Sequence, residues 1–416
     1  MAEKLVIIGN GMAPGRMLEK LFELAPGRFD VTIFNAEPRV NYDRIMLSPV
    51  LAGEKSFDDI VIHGDAWYIE HGILLYKGCK VIAIDRAART VTAANGVVAS
   101  YDKLVIATGS MPFIIPVPGN SLAGVLTYRD LDDVNAMMIA AKSRGRAVVI
   151  GGGLLGLEAA AGLKEQGMDV TVIHVMPTLM ERQLDPAGGA LLADALRARG
   201  IRVLTSANTR QILGHKRVSG VELSDGTIVP ADLVIMAVGI RPNAALAKEA
   251  SLAVNRGIVT GAGMRTSDPA IFALGECAEV EGQCYGLVAP LYEMANVLAA
   301  QLAGDSSASF VPAVTPTRLK VTGINVYSAG DFEAGDDRED IVLRDAPAGI
   351  YKRVVLREGR VVGAVLYGET SDGPWFSELM RDATPTNDLR DMLIFGRSYA
   401  DGAPLDPYGG RCSLAG

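Results

Sequence analysis

Short apolar runs rich in β-branched residues alternate along this chain with longer amphipathic stretches, and the runs close on glycine. Leu5-Val-Ile-Ile precedes Gly9, a helix is expected near 15–25, and Val31-Thr-Ile-Phe34 supplies the next strand. After a meander over 73–105, Leu104-Val-Ile-Ala-Thr108 closes on Gly109. The rhythm restarts with Ala147-Val-Val-Ile150, a helix over 154–166, Val170-Thr-Val-Ile173 and the closing run Leu233-Val-Ile-Met-Ala-Val-Gly239. Strands that alternate with helices in this way predict parallel βαβ units. Asp268-Pro-Ala-Ile-Phe-Ala-Leu-Gly275 adds a further strand whose counterpart lies in the first unit, so the second unit is expected to interrupt the first.

From Thr317 to Tyr367 the pattern shortens to alternating strands such as Tyr351-Lys-Arg-Val-Val-Leu and Val361-Val-Gly-Ala-Val-Leu, the mark of an antiparallel sheet. A helix near 375–382 follows, then a tail over 396–416 rich in Gly, Pro and Asp, which reads as poorly ordered or as a linker. Met111–Asn120 holds Pro112, Pro116 and Pro118, as a linker between domains would. The expected fold class is α/β, with two Rossmann-like dinucleotide-binding domains and a small C-terminal α+β domain. The first dinucleotide domain is expected over 1–117 and again over 243–315, the second over 118–242, and the α+β interface domain over 316–395.

Two glycine fingerprints carry the chemistry. Gly9-Asn-Gly11-Met12 and Gly151-Gly-Gly153-Leu154-Leu155-Gly156 each stand where a strand turns into a helix, 142 residues apart. Such a turn presents bare backbone N–H groups at the positive end of a helix dipole, a site for a pyrophosphate. Two of them imply two dinucleotides on one chain, and a hydride passed between them. The second fingerprint fills all three glycine positions, whereas the first has Pro14 at the third, with Gly15 after it. Proline is tolerated in a first helical turn, where its missing N–H is not needed, but the close helix–strand approach is expected to loosen.

Composition narrows the partners. Apolar residues make up 49% of the 416 and charged residues 21%, a globular balance sufficient for two or three domains. A net charge of −8 without a basic run argues against nucleic acid. No apolar stretch reaches the roughly 18 residues of a membrane span, and only a short run follows Met1-Ala-Glu-Lys, too little for a signal-peptide core. Cys79, Cys277, Cys284 and Cys412 show neither CxxC nor metal-site spacing, so no metal is expected and the chain reads as cytoplasmic and reduced.

Single residues then acquire candidate roles. Glu37, 28 residues after Gly9, stands where an acid accepts hydrogen bonds from a ribose. After the strand over 170–173 that acid is replaced by His174, with Arg182 nearby. Histidine does not repel the extra phosphate of NADP, so NADH and NADPH both remain open. Glu158, the candidate catalytic residue, contacts the nicotinamide region or caps its helix. Pro290 opens a helix running to about Leu302, whose positive end either stabilises charge on a reduced flavin or simply begins a helix. A disulfide reductase needs a nucleophilic cysteine pair or a cysteine against the flavin, and Asn41–Pro49 has none. Cys277 reads as a small residue beside Gly275, and electrons are expected to leave the flavin directly.

Tyr42-Asp-Arg44, Leu47-Ser48, Ala107-Thr-Gly109, Val238-Gly-Ile-Arg-Pro242 and Ala273-Leu-Gly275-Glu276-Cys277, with the two fingerprints, resemble pyridine-nucleotide-dependent flavoprotein oxidoreductases. More narrowly, Gly9-Asn-Gly-Met12, Gly152-Gly-Leu-Leu-Gly-Leu-Glu158, Leu184-Asp185, Thr266-Ser-Asp-Pro269 and Leu319-Lys-Val-Thr-Gly323 are similar to the flavoprotein part of the assimilatory nitrite reductase [NAD(P)H] large subunit. The resemblance implies FAD in the first domain and NAD(P)H in the second. It places Gly9, Gly11, Met12 and Glu37 at the FAD diphosphate and ribose, Arg44, Thr108 and Gly109 along the cofactor, and Gly275 with Glu276 near its ribityl chain. Gly239 joins the second nucleotide's site. Related rubredoxin reductases often carry lysine where Pro49 stands here. Full-length nitrite reductases continue into [2Fe-2S], [4Fe-4S] and sirohaem segments, so those centres are expected only on an absent segment or a partner. The implied function is hydride uptake from NAD(P)H and single-electron delivery for nitrite reduction in nitrate assimilation. The alternatives are a rubredoxin or ferredoxin reductase and a redox-sensing binding module. The antiparallel region serves either a homodimer or an acceptor dock.

Overall fold

The computed structural model describes residues 2–312, 316–321 and 323–400. Contact density divides the chain into one unit over 1–173 and 207–312, and a second made of 174–206 with the described part of 313–416.

The first unit is built on two parallel sheets. In the first, Glu3–Ile8 lies between Phe29–Phe34 and Lys103–Ile106, with Leu74–Tyr76 at one edge and Ile271–Ala273 at the other. The return of Ile271–Ala273 to the edge beside Lys103–Ile106 is what the Gly275 run led us to expect. Leu5, Ile7, Leu104 and Val105 are fully buried, as a sheet covered on both faces requires. The helix Met12–Leu24 begins earlier than expected because Pro14 sits in its first turn rather than before it. Its buried Met17, Leu18 and Leu21 share a core with Leu291, Met294 and Leu298 of the helix Val288–Ala303.

The second sheet sets Arg146–Ile150 between Asp169–Ile173 and Leu233–Met236, with Val125–Thr127 beyond the latter. The proline-rich stretch is not a simple linker. Ser110–Pro112 pairs antiparallel with Ile240–Pro242, so the chain's exit from the first sheet and its return from the second form one ribbon. The expected meander appears as Val81–Asp85, Thr90–Ala93 and Val98–Ser100.

In the second unit an antiparallel sheet runs in the order 317–321, 324–330, 360–367, 350–357, 339–345. The helix Gly373–Arg381 covers it with Trp375, Phe376 and Leu379 against Tyr327, Val354 and Leu366. The helix Pro186–Ala198 joins this unit through its N-cap. The Asp185 carboxylate accepts the Gly188 N–H at 3.0 Å and the Tyr351 hydroxyl at 2.5 Å, with Arg353 at 3.4 Å. The remainder of the tail, 401–416, with Cys412, lies outside the described residues.

Candidate functional site: two dinucleotide cradles

Both fingerprints fold to the same backbone. Gly9 has φ +109° and Gly151 φ +123°, and a Cβ added at either would fall inside the carbonyl oxygen of Ala107 or Ala237. Only glycine adopts that conformation and permits that approach. The Gly9 N–H donates to Phe34 O and the Gly151 N–H to Ile173 O, both at 2.8 Å. Gly11 and Gly153 are extended N-caps of the helices Met12–Leu24 and Leu154–Glu165, and neither helix receives a side-chain cap. A Cβ at Gly11 or Gly153 would meet nothing within 4 Å. Both helix starts thus lack a side-chain cap and have room at the capping glycine, the features a pyrophosphate site needs.

The third fingerprint position differs. A Cβ at Gly156 would run into Gly151 O and lie 3.4 Å from Ala237 Cβ, so this glycine lets helix and strand meet. Pro14 is buried in its helix, and the close approach in that region falls to Gly15.

Around the first cradle a polar ring assembles from distant segments. Glu37 pairs with Arg44 and accepts the Tyr42 hydroxyl at 2.8 Å, so its carboxylate is shared before any ribose arrives. Arg44 also donates to Arg129 O at 3.2 Å and lies 5.1 Å from the centroid of the Tyr42 ring. Glu276, in the turn Gly275–Cys277, pairs with Arg129 and accepts Ser110 Oγ at 3.0 Å. Gly109 is part of this ring, since a Cβ there would stand 3.7 Å from Arg129 and 3.9 Å from Glu276. Thr108 Oγ1 donates to Asn243 O at 2.6 Å, and the Asn243 N–H donates to Gly109 O at 2.9 Å. Pro290 is buried at the start of Val288–Ala303, which has no side-chain cap.

Arg129 escaped the sequence reading. It stands in the stretch Thr127-Tyr-Arg-Asp130-Leu-Asp-Asp133, just before a helix start. Asp130 caps the helix Leu131–Ala141 through the Asp133 N–H at 3.0 Å, and Asp133 accepts the Arg129 N–H at 2.7 Å.

At the second cradle, Glu158 does not cap its helix. Its Oε2 accepts Ser48 Oγ at 2.6 Å, and Ser48 Oγ meets the buried Tyr128 hydroxyl at 2.9 Å. Burial pushes the Glu158 carboxyl above the ordinary carboxylate range, and the Ser48 hydrogen bond opposes that. Leu154 is half-buried and Leu155 is exposed at the same helix start. Gly239, at φ +112°, accepts the Phe113 N–H at 2.9 Å beside the two-stranded ribbon.

A family model described as pyridine nucleotide-disulphide oxidoreductase matches residues 3–304. The chain belongs to that family. FAD and NAD(P)H are cofactors that fit this family. A model for the rubredoxin NAD+ reductase C-terminal domain matches residues 316–384. A nitrite reductase [NAD(P)H] of Bacillus subtilis is 47% identical over 92% of this chain and 48% of its own length. An assimilatory nitrate reductase electron transfer subunit of the same organism is 42% identical over 89% of this chain and 48% of its length. The chain therefore spans about half the length of these relatives. A nitric oxide reductase FlRd-NAD(+) reductase of Vibrio vulnificus is 31% identical over 92% of the chain and all of its own length. Among solved structures, putidaredoxin reductase in its covalent complex with putidaredoxin superposes with a TM-score of 0.84 at 27% identity, covering 92% of this chain and 94% of that one.

Cys277, beside Gly275, is enclosed by backbone rather than presented to a ligand. Cys277 is fully buried, donates to Ile106 O at 3.4 Å and Leu274 O at 3.3 Å, and burial pushes its thiol up. Among the described residues no cluster of His, Cys, Asp or Glu would hold a metal, and no helix is long and apolar enough to cross a membrane. His174 lies in the second unit, where its Nε2 meets Glu181 Oε2 at 2.9 Å, while Arg182 is exposed.

Proposed function

We propose that this chain takes hydride from NAD(P)H and delivers single electrons to an iron–sulfur and sirohaem centre that reduces nitrite in nitrate assimilation. The observation that carries the reading is the repeated glycine cradle, two uncapped helix ends of one geometry in one unit. When bound, FAD supplies the two-electron to one-electron conversion, and the chain's task is to hold two rings in contact. Gly9, Gly11 and Met12 would hold the FAD diphosphate, with Glu37, Arg44, Thr108, Gly109, Gly275, Glu276 and Pro290 along the cofactor. Gly151, Gly153, Leu154, Leu155, Gly156 and Gly239 would hold the nicotinamide nucleotide, with Glu158 beside its reactive end. The domain limits at 117, 242, 315 and 395 belong to this proposal, as do a cytoplasmic location and a homodimer.

His174 takes the position where an acid distinguishes NADH from NADPH, and Glu181 brings a carboxylate to it. This favours NADH, and Glu181→Gln is expected to raise the use of NADPH relative to NADH in steady-state assays.

A test is anaerobic rapid mixing of the yellow protein with NADH or NADPH, in which the flavin absorbance is expected to bleach. Flavin that stays oxidised with both nucleotides would overturn the reading. A second reading, delivery to a separate small redox protein, is favoured by the match of residues 316–384 to the rubredoxin NAD+ reductase C-terminal domain. Titrating rubredoxin, ferredoxin and a cysteine-ligated cluster domain separates the two by which one is reduced at a useful rate. Slow reduction accompanied by a nucleotide-dependent change of mass would instead mark a redox-sensing module.

A further inference from the structure

The first fingerprint lacks the third glycine, and what stands against its replacement shows why. A Cβ at Gly15 would lie 2.9 Å from Asn41 Nδ2 and 3.3 Å from the His63 ring. Asn41 is 1% exposed and sits opposite His63 in the small antiparallel pair of Asn41–Tyr42 with Val61–His63. Its side-chain amide donates to Gly11 O at 2.6 Å and to Asn10 O at 3.2 Å. Its Oδ1 is buried and has no hydrogen-bond partner among the described residues.

Peptide geometry turns these contacts into a direction. In a trans peptide the carbonyl and the N–H point oppositely. The Asn10 carbonyl shares its peptide with the Gly11 N–H, and the Gly11 carbonyl shares its peptide with the Met12 N–H. Pinning both carbonyls to Asn41 on one side therefore aims both N–H groups to the other. A Cβ on Gly11 would itself meet nothing within 4 Å, so the loop has room at that glycine. The orphaned Oδ1 argues that the amide is there for its donors, since an unpaired buried oxygen costs about 1–3 kcal/mol.

We propose that Asn41 is a positioning residue for the dinucleotide pyrophosphate of the first cradle, locking the Asn10–Gly11 loop from behind, with Gly15 leaving the room it needs. This rests on the reading that the first cradle holds FAD. The displaced glycine then serves an approach of side chain to helix, where Gly156 serves an approach of strand to helix.

The experiment follows FAD release from the holoenzyme by the rise in free-flavin fluorescence, with NADH binding and thermal melts measured alongside. Asn41→Ala is expected to release FAD at least about tenfold faster, equivalent to about 1.4 kcal/mol, with NADH binding unchanged. Asn41→Asp places an acceptor against two carbonyls, so release is faster still at neutral pH. It slows as pH falls, because the protonated carboxyl donates again. His63 with Glu19 behind it, and Tyr68, are the titratable groups facing this position. They are common to both variants, so the difference in behaviour between Asn41→Asp and Asn41→Ala isolates the introduced carboxyl. Gly15→Ala is expected to speed release in the wild-type background and to add little to Asn41→Ala. Asn41→Ser, a shorter donor, should fall between, and it carries the test if the alanine variant does not fold. A yellow wild type whose Asn41→Ala holds FAD normally, or an Asn41→Asp without pH recovery, overturns the proposal. A wild type that is colourless and cannot be reconstituted overturns the FAD reading itself.

Discussion

The two cradles repeat one backbone and differ in everything that surrounds it. Gly9 and Gly151 share a positive φ and the same approach to a neighbouring carbonyl, and Gly11 and Gly153 are both uncapped helix starts. Around the first, Glu37 pairs with Arg44 and Glu276 with Arg129, while Asn41 holds the Asn10 and Gly11 carbonyls. Near the second, the Glu158 carboxyl, raised by burial, accepts Ser48, which in turn meets Tyr128. A glycine motif thus sets where an anion is welcomed. How long the occupant stays is decided by side chains brought in from elsewhere. On the proposed reading, the prosthetic group takes the ringed cradle and the exchanging substrate the other.

The largest effects should come from the shared backbone. Gly9→Ala and Gly156→Ala each put a methyl group into a carbonyl oxygen, and at Gly9 the left-handed φ adds strain of roughly 1–3 kcal/mol. Gly156→Ala is expected to weaken NADH binding by about 100-fold, near 2.7 kcal/mol, while FAD is retained. Gly9→Ala should do the reverse, yielding protein that loses its flavin on desalting. Calorimetric titration of NADH and flavin content per chain measure both. If either variant lost both nucleotides equally, the cradles would not be independent.

Next comes the ring. Arg129→Ala leaves the Glu276 carboxylate half-buried and without its cation. Breaking a fully buried pair costs 3–5 kcal/mol, and partial exposure reduces this to roughly 2 kcal/mol, or about 30-fold faster FAD loss. NADH binding should not change. This arginine also measures what a sequence conceals. The strand–glycine–helix units, the return of Ile271–Ala273 to the first sheet and the C-terminal sheet were legible because each rests on local periodicity and spacing. Arg129, Asn41 and the Ser48–Glu158 bond were not, because each pairs residues at least 30 positions apart with no periodic signature. The ribbon of 110–112 with 240–242 was hidden behind prolines, which suit an edge pairing as well as a linker.

Glu158→Gln sharpens the other side of the comparison. Since burial raises the folded pKa, the folded protein holds this proton more tightly than the unfolded chain does. The stabilising contribution is complete at low pH and is lost as pH rises through the raised value. Glu158→Gln should therefore gain stability relative to wild type as pH increases, read from melts across pH. It should also flatten the pH dependence of anaerobic flavin reduction by NADH, with a change of about tenfold or less at neutral pH, because hydride transfer needs no proton from this group. Ser48→Ala removes the hydrogen bond that lowers the Glu158 pKa, so the titration should move higher still.

Pro14→Gly has the smallest expected effect and tests whether the third fingerprint position means the same thing in both cradles. In the second cradle that position touches the turn itself, through Gly156 and Gly151 O. In the first, the close approach has moved to Gly15 and Asn41, so Pro14 is left with a purely conformational role in the first helical turn. Restoring glycine there frees the unfolded chain and weakens the helix start, a loss of about 1 kcal/mol. FAD release should stay within about twofold of wild type, less than 0.5 kcal/mol. Melting of the apoprotein and flavin release from the holoprotein read the two quantities separately. A Pro14→Gly protein that bound FAD much more tightly would mean that proline, and not the absence of a ligand-facing role, keeps the helix away from its strand. The two cradles would then differ by a defect in one of them rather than by a second way of building the same loop.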